Sequence, residues 1–214
     1  MMMLTFLAYS VVVIQWILIG FSLAYSESST SSFIGNTQYA FCSHIYFHAS
    51  QIAPSVPNVV FACFEMQFAA FTGALVLGSM VKRVAVIPAT AFIFMWTTVI
   101  YCPIVYWVWS YRGWARNMQC LNSVHLDSTP CGVGMIDWAG GGTVHLTSGA
   151  ATLAINSFIF RNSGPYPFPM IKFHALHLMS IIIGTSLVFF GWFAFNGGCA
   201  VAASPRAAHA GNPP

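Results

Sequence analysis

Val59–Trp109 reads VVFACFEMQFAAFTGALVLGSMVKRVAVIPATAFIFMWTTVIYCPIVYWVW, and only three of its side chains carry charge: Glu65, Lys82 and Arg83. A helix crossing a bilayer needs about 20 predominantly apolar residues, so the stretch is long enough for two. The Lys82–Arg83 pair divides it, giving two helices, 59–81 and 85–109, joined by a tight basic turn. A lone lipid-exposed strand would leave its backbone groups unbonded, so both runs read as helix.

Three more runs of this kind lie outward from the pair: 4–25 before it, and about 135–160 and 178–203 after it. The fold class expected is therefore an all-α polytopic membrane protein with five transmembrane helices within 1–203. The tail, 204–214, is rich in Ala, Gly and Pro and is expected to be flexible. The first run lacks the basic start of a signal peptide and is longer than the usual apolar region of one, so it reads as a span.

Composition agrees. Charged residues are 5% of the 214 and apolar residues 57%, whereas an ordinary soluble domain carries about 25% charged residues. A water-wetted globular surface is excluded, and so is disorder, which needs charge and few apolar residues. A net charge of +3 with no Lys/Arg cluster also excludes a nucleic-acid partner. The bilayer itself is the partner that composition names.

The few charges set the orientation. Lys82 and Arg83 share one side with Arg161 and Lys172, while Arg112, Arg116 and Arg206 fall on the other with Glu27 and Asp127. Compact basic pairs at helix ends mark the inner face, so the N-terminus is expected inside and the C-terminus outside. Cys120 and Cys131 then share an outer loop, where they either pair as a disulfide in an oxidising compartment or stay free. Both readings stand.

Ionisable groups at membrane depth are costly and so are candidates for function. Glu65 lies about a turn and a half into its helix, within reach of the interface by snorkelling or neutral as a protonated acid; a substrate ligand is the other reading. Asp137 opens DWAGGGTVH, where a carboxylate at a helix start accepts bonds from free backbone N–H groups. His145 stands about two turns deeper. It either bonds a neighbouring helix or passes a proton along a narrow path. Phe64 and Phe68 are one turn apart, Trp109 closes the third run, and Phe195 precedes Asn196, Gly197 and Gly198. These rings read as core and interface belt or, alternatively, as a cage whose faces attract a small cation. His174 and His177, three apart, suit a metal or haem only if a matching pair exists elsewhere, and the sequence shows none.

In chain order, QWILIGFSLAYS, FACFEMQFAAFTGALVLG, FIFMWTTVIYCPIVYWVW, DWAGGGTVHLTSGAA and FFGWFAFNGGCAVAA resemble the ammonium transporter (Amt/Mep/Rh) family, and most closely its fungal Mep-like branch. The most specific signals are the His eight residues after the Asp of the glycine run and the later GWFAFNGG.

The resemblance implies a transporter and not an enzyme, with no cofactor and no metal. Phe68 and Phe195 would be the two rings of a phenylalanine gate, Trp109 the outer cation-π site with Phe64 beside it, Asp137 the structural acid near that site, and His145 the first histidine of the pore. Ammonium or ammonia, with methylammonium as analogue, would be the cargo, and the plasma membrane the location.

Three positions depart from the family pattern. Cys199 stands where the outer-site serine is usual, Glu65 where an uncharged residue such as Gln is commoner, and three glycines replace two. The family has eleven spans in two inverted halves, and this chain resembles the second to sixth, so a partial chain is expected. It implies a homotrimer for the complete protein, or association with full-length subunits. The alternative reading is a non-transporting paralogue acting in assembly or regulation, or an incomplete gene product.

Overall fold

The computed structural model describes residues 2–80, 84–118, 134–162 and 175–211. The orientation signal of Lys82, Arg83 and Lys172, the Cys120–Cys131 pair and His174 lie outside them. The described residues are helical apart from loops and one isolated bridge, Ala49 to Pro57. Contacts divide the chain into two units, Met1–Asn156 and Ser157–Pro214.

In the first unit, α1 spans Met3–Tyr25, α2 Asn58–Gly78 and α3 Val86–Trp109; α4 consists of the π-helical turn Gly141–Leu146 followed by Thr147–Asn162, whose last six residues belong to the second unit. The second unit holds α5, Ala175–Gly198, and α6, Pro205–Gly211. Four helices among the described residues are long and apolar enough to cross a membrane: α1, α2, α3 and, within α5, Leu178–Gly198.

Two expectations are corrected. The fourth run was read as helix from about 135, yet helix begins only at Gly141, because Gly140 adopts φ +93° and the chain before it turns around Asp137. The tail was read as flexible from 204, yet Pro205–Gly211 is helical. Proline suits the first turn of a helix, having no N–H to leave unbonded there. The Gly197 backbone lies close to Ala207 and Gly211, so this turn packs back on the end of α5.

Small residues let α1, α2 and α3 approach closely. Ala8 of α1, Ala69 and Ala70 of α2 and Ala89 of α3 are all buried. At Gly73 a Cβ would lie 2.8 Å from a Val12 methyl and 3.4 Å from Ile93. In lipid, where burying an apolar face gains little, such close contact is the main source of helix association.

Each of α1, α3 and α4 contains a π-helical turn, at Trp16–Gly20, Thr97–Tyr101 and Gly141–Leu146. That in α3 ends two residues before Pro103, whose missing N–H and bulky ring interrupt the ordinary ladder. Hydroxyls of Thr97 and Thr98 donate to the carbonyls of Ile93 and Phe94, at 2.8 Å each. Side-chain bonds from α1 reach both neighbours: Gln15 Nε2 donates to Thr98 Oγ1 at 3.0 Å and to Cys102 Sγ at 3.8 Å, Trp16 Nε1 to the Ala62 carbonyl at 3.2 Å, Tyr25 OH to Glu65 Oε2 at 2.6 Å, and Tyr9 OH to Gln67 Oε1.

The loop after α1 doubles back along it. Gly35 N–H donates to the Leu23 carbonyl, Tyr39 N–H to Ser22 Oγ, and Cys42 Sγ to the Ile17 carbonyl at 3.7 Å. Ile17 is eight residues from the end of the helix, about 12 Å along its axis. At this re-entrant tip Phe41, Cys42 and His44 all have positive φ.

Gly73→Leu is expected to overpack the crossing of α1, α2 and α3 and lower stability by about 1–3 kcal/mol. Gly78→Ala, where a Cβ meets nothing within 4 Å, should leave stability unchanged or raised. Thermal unfolding in detergent compares the two.

Candidate functional site

Phe64 and Phe68 sit one above the other on α2, their rings 5.0 Å apart and edge to face. Phe68 is buried and meets Trp109, at the end of α3, with ring centres 5.4 Å apart at 84°. The indole is fixed at its polar edge, since Trp109 Nε1 donates to the Asp137 carbonyl at 2.8 Å. Arg116 Nη1 donates to the Trp109 carbonyl, also at 2.8 Å, closing the turn that follows.

The Asp137 side chain points the other way. Oδ1 accepts from Gly140 N–H at 2.9 Å, while Oδ2 accepts from Gly142 N–H at 2.9 Å, Thr143 N–H at 2.8 Å and Thr143 Oγ1 at 3.0 Å. One carboxylate thus satisfies three of the backbone donors that a helix start leaves free. The left-handed Gly140 makes this turn possible; a Cβ there would also lie 2.6 Å from Val144.

His145 lies in the π-helical turn that this cap begins, its N–H bonded to the Gly140 carbonyl at 2.9 Å. Its imidazole stands 6.3 Å from the Phe71 ring, edge to face. Phe71 follows Phe68 by three residues, so one helix, α2, carries both the ring that meets Trp109 and the ring that meets His145.

Of the residues selected from the sequence, Phe64, Phe68, Trp109, Asp137 and His145 are thus linked through contacts within the first unit. Phe195 and Cys199 belong to the second, where Cys199 N–H donates to the Phe195 carbonyl at 3.1 Å. His177 contributes helical backbone to α5, and its proposed partner His174 is outside the described residues.

Glu65 differs from the expectation of snorkelling. It is buried, and the Tyr25 hydroxyl bonds it from α1. Helix packing overrides the short distance to the helix end, because that face of α2 meets α1. Sequence reasoning also missed Phe71 and Tyr25. Nothing in their spacing singles them out from the other 18 phenylalanines and 7 tyrosines of a chain with 19 and 8.

A family model described as the Ammonium Transporter Family matches residues 1–211. Ammonium transporter 2 of Schizosaccharomyces pombe is 36% identical over 210 residues, 98% of this chain and 38% of that protein. Ammonium transporter MEP2 of Saccharomyces cerevisiae is 35% identical over 205 residues, 94% of this chain and 38% of that protein. The crystal structure of Saccharomyces cerevisiae Mep2 superposes with a TM-score of 0.78, at 35% identity, over 94% of this chain and 42% of that one. Candida albicans Mep2 gives 0.77 at 33% identity, over 94% and 40%. The chain therefore spans about two-fifths of the length of the relatives it matches.

Replacing Asp137 by Ala is expected to release the amides of Gly140, Gly142 and Thr143, and Asn, which keeps one acceptor oxygen, to release them in part. Hydrogen exchange across 138–146 measures this: the Ala variant should exchange at least tenfold faster there, consistent with a loss of about 1.5–3 kcal/mol for bonds to a charged group.

Proposed function

This chain belongs to the ammonium transporter family, and we propose from that premise that it supplies the recruiting half of an ammonium pathway. The observation that carries the reading is the connection of Trp109 to both Phe68 and Asp137, the residue whose carboxylate starts the helix bearing His145.

Aromatic faces attract a cation without removing all of its water, which suits the first contact of ammonium with Trp109, Phe64 and Phe68. Beyond them a bare ion would enter a nearly dry passage at a large desolvation cost. A proton passed to His145 leaves neutral ammonia to cross, and imidazole is suited to that transfer because its two nitrogens both accept and donate. Asp137 holds the outer end of α4 in place. Phe195 as a second gate ring and Cys199 as a weak hydrogen-bond partner of the outer site come from the family resemblance alone. The same premise proposes the plasma membrane, an inner N-terminus and outer C-terminus, and a homotrimer or association with full-length subunits.

The test is uptake of ammonium and of methylammonium in a cell lacking its own transporters, with this chain expressed alone and beside a full-length homologue. A contribution to transport predicts greater uptake in the pair than with the homologue alone. Unchanged uptake together with physical association would instead identify an assembly or regulatory role. In a complete protein carrying this sequence, His145→Ala should reduce uptake at least tenfold or change its pH dependence. Normal uptake and selectivity in that variant would remove His145 from the mechanism.

A further inference from the structure

We infer that Cys42 and Cys63 form a thiol pair that closes to a disulfide, fastening the re-entrant loop to α2. The inference starts from two bonds onto one turn of α1. Cys42 Sγ donates to the Ile17 carbonyl at 3.7 Å, and Trp16 Nε1 donates to the carbonyl of Ala62, the residue before Cys63. Trp16 and Ile17 are consecutive, so the loop tip and the second turn of α2 are fastened to neighbouring residues of the same helix. Cys42 is half-buried and Cys63 exposed, whereas Cys102 is buried in the bundle. Burial pushes the Cys42 thiol above its ordinary range, and the Cys63 thiol adds to that rise, consistent with the two being close.

The loop's conformation gives the bond something to hold. Phe41, Cys42 and His44 have φ of 56°, 54° and 60°, a region that non-glycine residues seldom occupy. Phe41 is 72% exposed and Phe47 87%, so apolar packing of these side chains within the chain does little to hold the tip. A crosslink from Cys42 to a helix removes loop freedom from the unfolded ensemble and so stabilises the tip.

Cys63 lies five residues from the start of α2, about 7.5 Å along the helix. In the proposed orientation that end faces the oxidising side of the membrane. The oxidant is a small soluble disulfide. One of the two thiolates attacks it, forming a mixed disulfide and expelling one thiol; the other then attacks the protein sulfur and expels the second. The two cysteines lose two electrons and two protons, and the small disulfide becomes two thiols.

The test uses the intact chain in membrane vesicles, equilibrated with oxidised and reduced glutathione, then alkylated, digested and read by mass spectrometry. The expected product is a Cys42–Cys63 linked peptide two hydrogens lighter than the sum of its parts, with both thiols protected at least tenfold from alkylation. The Cys63→Ser variant should restore Cys42 alkylation under the same conditions, while Cys199 labelling stays unchanged in both. Full alkylation of Cys42 and Cys63 after oxidation would overturn the inference. So would Cys42 linked to another cysteine of the chain or to a second copy.

Discussion

Hydrocarbon offers no hydrogen-bond partner, so every backbone N–H and C=O at membrane depth must be bonded within the protein. This constraint explains features that otherwise look unrelated. Pro103 removes a donor, and a π-helical turn, Thr97–Tyr101, stands where the ordinary ladder would need it. Helix α4 starts where Asp137 meets the free amides of Gly140, Gly142 and Thr143. The loop after α1 descends alongside that helix only where bonds to Leu23, Ser22 and Ile17 accompany it. The positions of irregular backbone are thus set by where side chains or a neighbouring helix can complete the bonding.

The same reasoning separates what was readable in the sequence from what was not. Apolar length and charge placement located α1, α2 and α3 to within about three residues, since 4–25, 59–81 and 85–109 became Met3–Tyr25, Asn58–Gly78 and Val86–Trp109. Hydropathy senses the slab, and these helices differ little from the slab's dimensions. It does not sense a turn. Met135 and Ile136 are apolar, so they were counted into the fourth helix, whereas the conformation there is decided by Gly140 and by the acceptors of Asp137. The α6 turn was hidden for the opposite reason: its Ala, Gly and Pro content resembles a linker, while its packing depends on the close backbone approach at Gly197 and Gly211.

Within the candidate site, legibility followed chemical rarity. Asp137 and His145 stand out because ionisable groups are scarce in a chain that is 5% charged, and their spacing from the glycines is distinctive. Phe64, Phe68 and Trp109 were selected through the family resemblance, for a chain with 19 phenylalanines gives no ring a distinction of its own. Tertiary contact supplied the remainder: Phe71 gains meaning only from His145 beside it, and Tyr25 only from Glu65. Such pairs join residues more than 35 positions apart, and no local pattern encodes them.

The geometry of Asp137 also narrows how that acid can act on a cation. The donors are unequally shared: Oδ2 accepts from Gly142 N–H, Thr143 N–H and Thr143 Oγ1, whereas Oδ1 accepts from Gly140 N–H. A cation approaching Oδ2 would compete with the two amides and the hydroxyl already bonded there. In the proposed reading of Trp109 as a cation site, Asp137 acts on the ion by two indirect routes. Its carbonyl fixes the indole edge at 2.8 Å, which orients the ring face, and its negative charge offsets the positive N-terminal end of the helix, which would otherwise repel a cation. A neutral cap with the same bonds would preserve the first route and lose the second, so orientation and charge are separable contributions of one side chain.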